Sequence, residues 1–276
     1  MNTIKTTVGR YPLMAFFVLS FAFSWWPWPL YAYGLSPAPI IGFGPFLAAL
    51  MVLALTTGRQ SVKDLLRRMV RWRVSWQWYA LALGLPLGIT SAAAAINLGL
   101  GASLVAPLEV GALPDLATTF VLLLLVPGIG GAWEEPGWRG YALPRLQVRY
   151  PGSIASLLLG LVWGAWHLPL FLAGTIPWSD LVLIMAITIV YTWIYNKTQG
   201  SVLVLMLAHA ANNTIAGGYF LLMFLGADAD RMAWLLAVLW WAAAYGLILI
   251  SEHELGRRRS APGTGDPASY YRGVEK

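Results

Sequence analysis

The chain contains no cysteine, which excludes disulfides, iron–sulfur clusters, thiolate zinc sites and a cysteine nucleophile. Charge is scarce as well. Asp, Glu, Lys and Arg make up 11% of the 276 residues, whereas hydrophobic residues make up 58%. A soluble domain carries about twice that share of charge, so a soluble enzyme is excluded. Only three histidines are present, and acids are outnumbered by bases, 12 to 18. The net charge of +6 does not point to nucleic acid, because its bases flank apolar runs and so read as membrane topology.

What is there in abundance is apolar sequence in runs of about 17–25 residues, each able to cross about 30 Å of hydrocarbon as a helix. Spans are expected near 12–33, 39–57, 76–98, 116–135, 152–174, 180–196, 201–225 and 232–251. The expected fold is therefore all-α, a polytopic transmembrane bundle of about eight spans. One helical domain would occupy 1–255, with its polar motifs in a core at 116–225, followed by a basic, disordered tail at 256–276. The first run is too long and too aromatic for a secretory signal and reads as a retained span.

Alternating the loops places Lys5, Arg10, the cluster Arg59, Lys63, Arg67, Arg68, Arg71 and Arg73, then Arg139, Arg145, Arg149, Lys197, Arg257, Arg258 and Arg259 on one side. Glu109, Asp115, Asp180, Asp228 and Asp230 fall on the other. This asymmetry predicts both termini in the cytoplasm and residence in the cytoplasmic (inner) membrane. The cluster from Arg59 to Arg73 also carries Leu65, Leu66, Met69, Val70 and Trp72 at helical spacing, as an amphipathic helix lying on anionic lipid would. Pro27, Pro29, Pro86 and Pro127 delete helical donors, which predicts kinks or irregular stretches. Gly128, Gly130 and Gly131 follow Pro127, so the segment leading to Glu134 is expected to pack closely against a neighbour.

Against this apolar background three polar elements stand out, because ionisable groups at membrane depth are costly unless paired or solvated. The first is Glu134-Glu135-Pro136-Gly137-Trp138-Arg139. If helix continues through Pro136, Glu135 and Arg139 share a face and pair, while Glu134 points about 100° away and is free for proton transfer. The second is Trp163 one turn before His167, and the third is His209 one turn before Asn213. Each alone has an ordinary reading: acids at span ends are commonly solvated, and polar pairs within spans commonly bond neighbouring helices. Together, a carboxylate, two imidazoles and a carboxamide supply a base, proton donors and an oxyanion stabiliser. The same residues also suit a proton- or ion-coupled transporter, or a non-catalytic membrane scaffold, although no internal repeat is evident.

This constellation resembles the CPBP family of intramembrane proteases, which includes CAAX prenyl endopeptidases and bacteriocin-immunity (Abi) relatives. The family's motifs are E-E-x-x-x-R, F-x-x-x-H and H-x-x-x-N or D, and the chain supplies Glu134, Glu135 and Arg139, then His167, then His209 and Asn213, in that order. Trp163 stands where the family usually has Phe, and Pro136-Gly137 replaces bulkier residues. The resemblance implies an intramembrane endopeptidase acting on a peptide or a prenylated, membrane-anchored protein. In it Glu134 and His167 activate water, His209 and Asn213 stabilise the oxyanion, and Glu135, Arg139 and Trp163 support them. It implies no required cofactor; the alternative is one divalent metal, zinc, held by Glu134, His167 and His209. The carboxylate of Glu134 and both rings are expected to converge on one cavity open to the cytoplasm.

Overall fold

The computed structural model describes residues 2–105, 113–251 and 255. Glu109, the arginines at 257–259 and the tail expected at 256–276 lie outside the described residues. Among the described residues the secondary structure is helical, without strands. The N-terminal half comprises α1 (Asn2–Arg10), α2 (Pro12–Trp25), α3 (Pro27–Ala32), α4 (Gly44–Thr56), α5 (Arg59–Met69), α6 (Trp76–Gly99) and α7 (Leu113–Leu125). A 3-10 turn at Gly131–Glu134 leads into α8 (Glu135–Gly137), a π-turn at Trp138–Ala142 and α9 (Leu143–Arg149). The chain continues through α10 (Gly152–Trp166), α11 (Leu168–Leu172), α12 (Ser179–Lys197), α13 (Val202–Asn212), a π-turn at Asn213–Gly217 and α14 (Gly226–Ile250).

Four segments are long and apolar enough to cross a membrane: Pro12–Ala32, Trp76–Gly99, Ser179–Lys197 and Gly226–Ile250. Three expected spans, at 116–135, 152–174 and 201–225, are instead broken, and each break falls beside a polar motif. Helix α7 stops before Val126 and Pro127, and Gly128 then turns the chain with a φ of +90° that a side chain would resist. Helix α10 ends at Trp166 because Pro169 has no N–H with which to continue the ladder, and His167 becomes the joint between α10 and α11. Helix α13 widens into the π-turn at Asn213, a distortion common at functional positions. By contrast, α6 runs helical through Pro86.

The most deeply buried span is α12, packed between α10 and α14. Helix α13 lies against α6 and the 3-10 turn at 131–134, while α12 reaches the motif loop where Thr188 accepts from Arg139. On one face of the bundle Arg231 donates to Asp228 Oδ1 (2.7 Å) and to Asn97 Oδ1 (2.6 Å), while Asn97 Nδ2 donates to the Asp228 carbonyl (3.0 Å), tying α6 to α14. Asp228 and Asp230 thus belong to the first turns of a helix, although a loop was expected. At α5, Leu65 and Met69 are buried but Leu66, Val70 and Trp72 are exposed, so its apolar residues split between bundle and surface where one lipid-facing stripe was expected. Arg68 donates to the Tyr195 hydroxyl (2.9 Å) and fastens α5 to α12.

Helices α2 and α4 approach closely at Gly44, which sits against Ser24. A methyl at Gly44 would lie 2.9 Å from the Ser24 backbone nitrogen, which cannot yield as a side chain can. Gly44→Ala is expected to cost about 1–3 kcal/mol through overpacking, measured as a lower melting temperature of the purified protein in detergent.

Candidate functional site

The broken elements bring the three motifs together inside the bundle. Glu135 and Arg139 are fully buried, and Glu134 and His209 are each only 5% exposed. Pro136 causes no gap because it falls in the first turn of α8, where its missing N–H has no partner to lose. The helical path from Glu135 into the π-turn therefore holds, and Arg139 Nη1 donates to Glu135 Oε1 at 2.9 Å, as the spacing predicts. Gly137 permits this path to press against the Pro45 backbone in α4, leaving no room for a Cβ.

The same Glu135 oxygen accepts a second bond, from His209 Nδ1 at 2.7 Å. A carboxylate only accepts, so His209 carries its proton on Nδ1 and turns Nε2 toward Gly131. Any Cβ at position 131 would collide with that ring, so the close packing expected of the glycine run turns out to be room for an imidazole. His167 Nδ1 likewise donates to the Trp163 carbonyl at 2.8 Å, which leaves its Nε2 without a protein hydrogen bond among the described residues. Both imidazoles are thus oriented with Nε2 available.

Glu134 takes no part in the ion pair. Its Oε2 accepts from the Trp163 indole N–H at 2.7 Å. The indole also meets the rings of His167 and His209 edge-on, each at 5.5 Å between centroids, and its face covers the Arg139 guanidinium at 4.3 Å. Straight spans would have left the two histidines at different depths; instead both meet Trp163. Asn213 continues the helical path of α13, one turn beyond His209 and half-buried, and no hydrogen bond joins its side chain to the others.

Two contributors were not singled out from the sequence. Tyr191, on α12, lies 5.1 Å from Arg139 and 6.1 Å, ring to ring, from His209, and its hydroxyl is buried without a partner. Thr188, one turn earlier, accepts from Arg139 Nη2 at 3.4 Å. Their signal was available as a polar row, Thr188, Tyr191, Thr192 and Tyr195, recurring every three or four residues in an otherwise apolar span.

The zinc alternative requires Glu134, His167 and His209 to converge as ligands. Among the described residues no three His, Cys, Asp or Glu side chains form such a group. Glu134 Oε2 accepts from the Trp163 indole, and the Nδ1 atoms of His209 and His167 bond Glu135 and the Trp163 carbonyl, so what remains toward a metal is Glu134 Oε1 and the two Nε2 atoms.

Fold and site together define a class: a helical membrane protein whose bundle encloses two adjacent acids, an arginine and two histidines. Residues 116–215, which contain all three motifs, match the family model described as Type II CAAX prenyl endopeptidase Rce1-like. The chain is also 32% identical over 107 residues to CAAX prenyl protease 2 of Methanococcus maripaludis, covering 34% of this chain and 40% of that protein. The chain thus matches about two fifths of the length of this curated relative. Both likenesses are to CAAX prenyl endopeptidases, the group that the three motifs resemble.

Removing Glu135 strands a buried guanidinium and an imidazole at once. Glu135→Ala is expected to destabilise the protein by about 3–5 kcal/mol, the usual result of breaking a buried pair, checked by thermal or denaturant unfolding in detergent.

Proposed function

We propose that the chain is an intramembrane endopeptidase that hydrolyses a peptide bond in a prenylated, membrane-anchored or peptide substrate, using water activated by Glu134 and His167. The observation that carries this reading is the separation of the two acids: Glu135 is paired through Oε1 with Arg139 and His209, while Glu134 keeps only a neutral N–H partner. A buried carboxylate without a counter-ion of its own is poised to take and return a proton.

In the proposed reaction Glu134 and the unpartnered Nε2 of His167 orient a water molecule, and Glu134 removes its proton as the oxygen attacks the scissile carbonyl. The tetrahedral oxyanion is stabilised by His209 Nε2–H and the Asn213 amide. Because His209 Nδ1 already donates to Glu135, donation from Nε2 as well requires a ring that carries a proton on both nitrogens. The proton held by Glu134 then passes to the leaving nitrogen as the C–N bond breaks, releasing a carboxylate and an amine. No metal takes part in this reading, in which Glu134 itself is the base.

The eight-span topology, cytoplasmic termini, inner-membrane location and cytoplasmic opening belong to the same proposal; the basic flanks at α5 and α9 support them. The relative's name, a CAAX prenyl protease, supports a substrate cleaved near a lipidated C-terminus.

The test is cleavage of a farnesylated C-terminal peptide and its unprenylated counterpart by the purified, reconstituted protein. Glu134→Gln, His167→Ala and His209→Ala are each expected to lower kcat by at least about a hundredfold with folding intact, and chelation is expected to leave the wild type active. A wild type that cleaves neither peptide, while Glu134→Gln abolishes a proton-coupled flux, would overturn the reading in favour of transport.

A further inference from the structure

Trp163 touches more of the site than any one of the candidate catalytic groups. Its indole N–H donates to Glu134 Oε2 at 2.7 Å, its face covers Arg139 at 4.3 Å, its edges meet both imidazoles, and its carbonyl accepts from His167 Nδ1. It is itself only 3% exposed.

The two neighbouring acids compete for one cation. Arg139 has donors to spare, since its Nε is buried without a partner and its bond to Thr188 is long at 3.4 Å. In a poorly screened interior a second carboxylate within reach of that guanidinium would be drawn to it. The indole covers the guanidinium and takes Glu134 Oε2 with a single neutral donor. One donor suffices to hold the carboxylate's position and supplies no charge to neutralise it. A phenyl ring offers the face and the edges but lacks the donor.

We infer that Trp163 is a positioning residue that keeps the two acids in separate roles: its N–H holds Glu134 at the reaction centre, and its ring bars Glu134 from Arg139. The inference rests on the proteolytic reading above for its effect on rate, and on geometry alone for the hydrogen bond.

The experiment has two arms. In the first, ultraviolet resonance Raman difference spectra between wild type and Trp163→Phe isolate the indole N–H marker band of Trp163. That band is expected at a strongly hydrogen-bonded position and is expected to shift in Glu134→Ala. In the second, peptide cleavage is compared for wild type, Trp163→Phe and a variant with β-(3-benzothienyl)alanine at position 163, which keeps the indole shape but replaces N–H by sulfur. Loss of one charge-assisted hydrogen bond is expected to lower kcat roughly ten- to a hundredfold in both variants, with KM unchanged. The sulfur analogue also serves if Trp163→Phe fails to fold. A purely structural tryptophan predicts wild-type kcat in the sulfur analogue, which would overturn the inference, as would a marker band insensitive to Glu134→Ala. A hydrogen-bonded band in a wild type that cleaves no peptide would sink both the proteolytic reading and the positioning role, while leaving the geometry standing.

Discussion

The buried bond between Arg139 and Glu135 is the constraint around which the motif region is organised. A guanidinium at full burial is tolerable only when its charge is matched, so the chain must bring a carboxylate to it and keep water and rival partners away. Matching it fixes the helical path through Pro136, demands glycine at 137 against α4, and orients His209 through the shared Glu135 oxygen. Aromatic faces from Trp163 and Tyr191 complete the enclosure of the cation.

From that bond the division between the two acids follows. Consecutive residues on a helical path point in different directions, so an Arg four residues on can take only one of them. The other is left to the Trp163 indole. The breaks in α7, α10 and α13 belong to the same economy of placement: each frees a short irregular stretch exactly where a polar side chain must leave the ladder, and such stretches survive in a membrane only inside protein. The buried helices α12 and α13 then hold the frame.

Much of this was legible in sequence. Composition declared the helical membrane class, because nothing else disposes of so many apolar residues with so little charge. The four-residue spacing of Glu135 and Arg139 declared their pairing, a local relation set by helix geometry. The lengths of the broken spans were less readable, since a hydropathy run does not register where Pro127, Gly128 or Pro169 stops a helix within it. The apolar spacing of the segment around α5 was readable too, but not that Leu65 and Met69 turn inward, because the bundle that offers them a surface is invisible in a single segment.

What the sequence by itself determined is therefore the class of protein, the membership of the polar set and the one contact made within a helical turn. Only the tertiary structure decided that His209 bonds Glu135, that Gly131 makes room for its ring, that Tyr191 joins the site, and that Trp163 stands among all the other groups. The reason is one of range. Helical periodicity dictates contacts three or four residues apart, whereas Glu135 and His209 are 74 residues apart and meet only through the packing of whole helices.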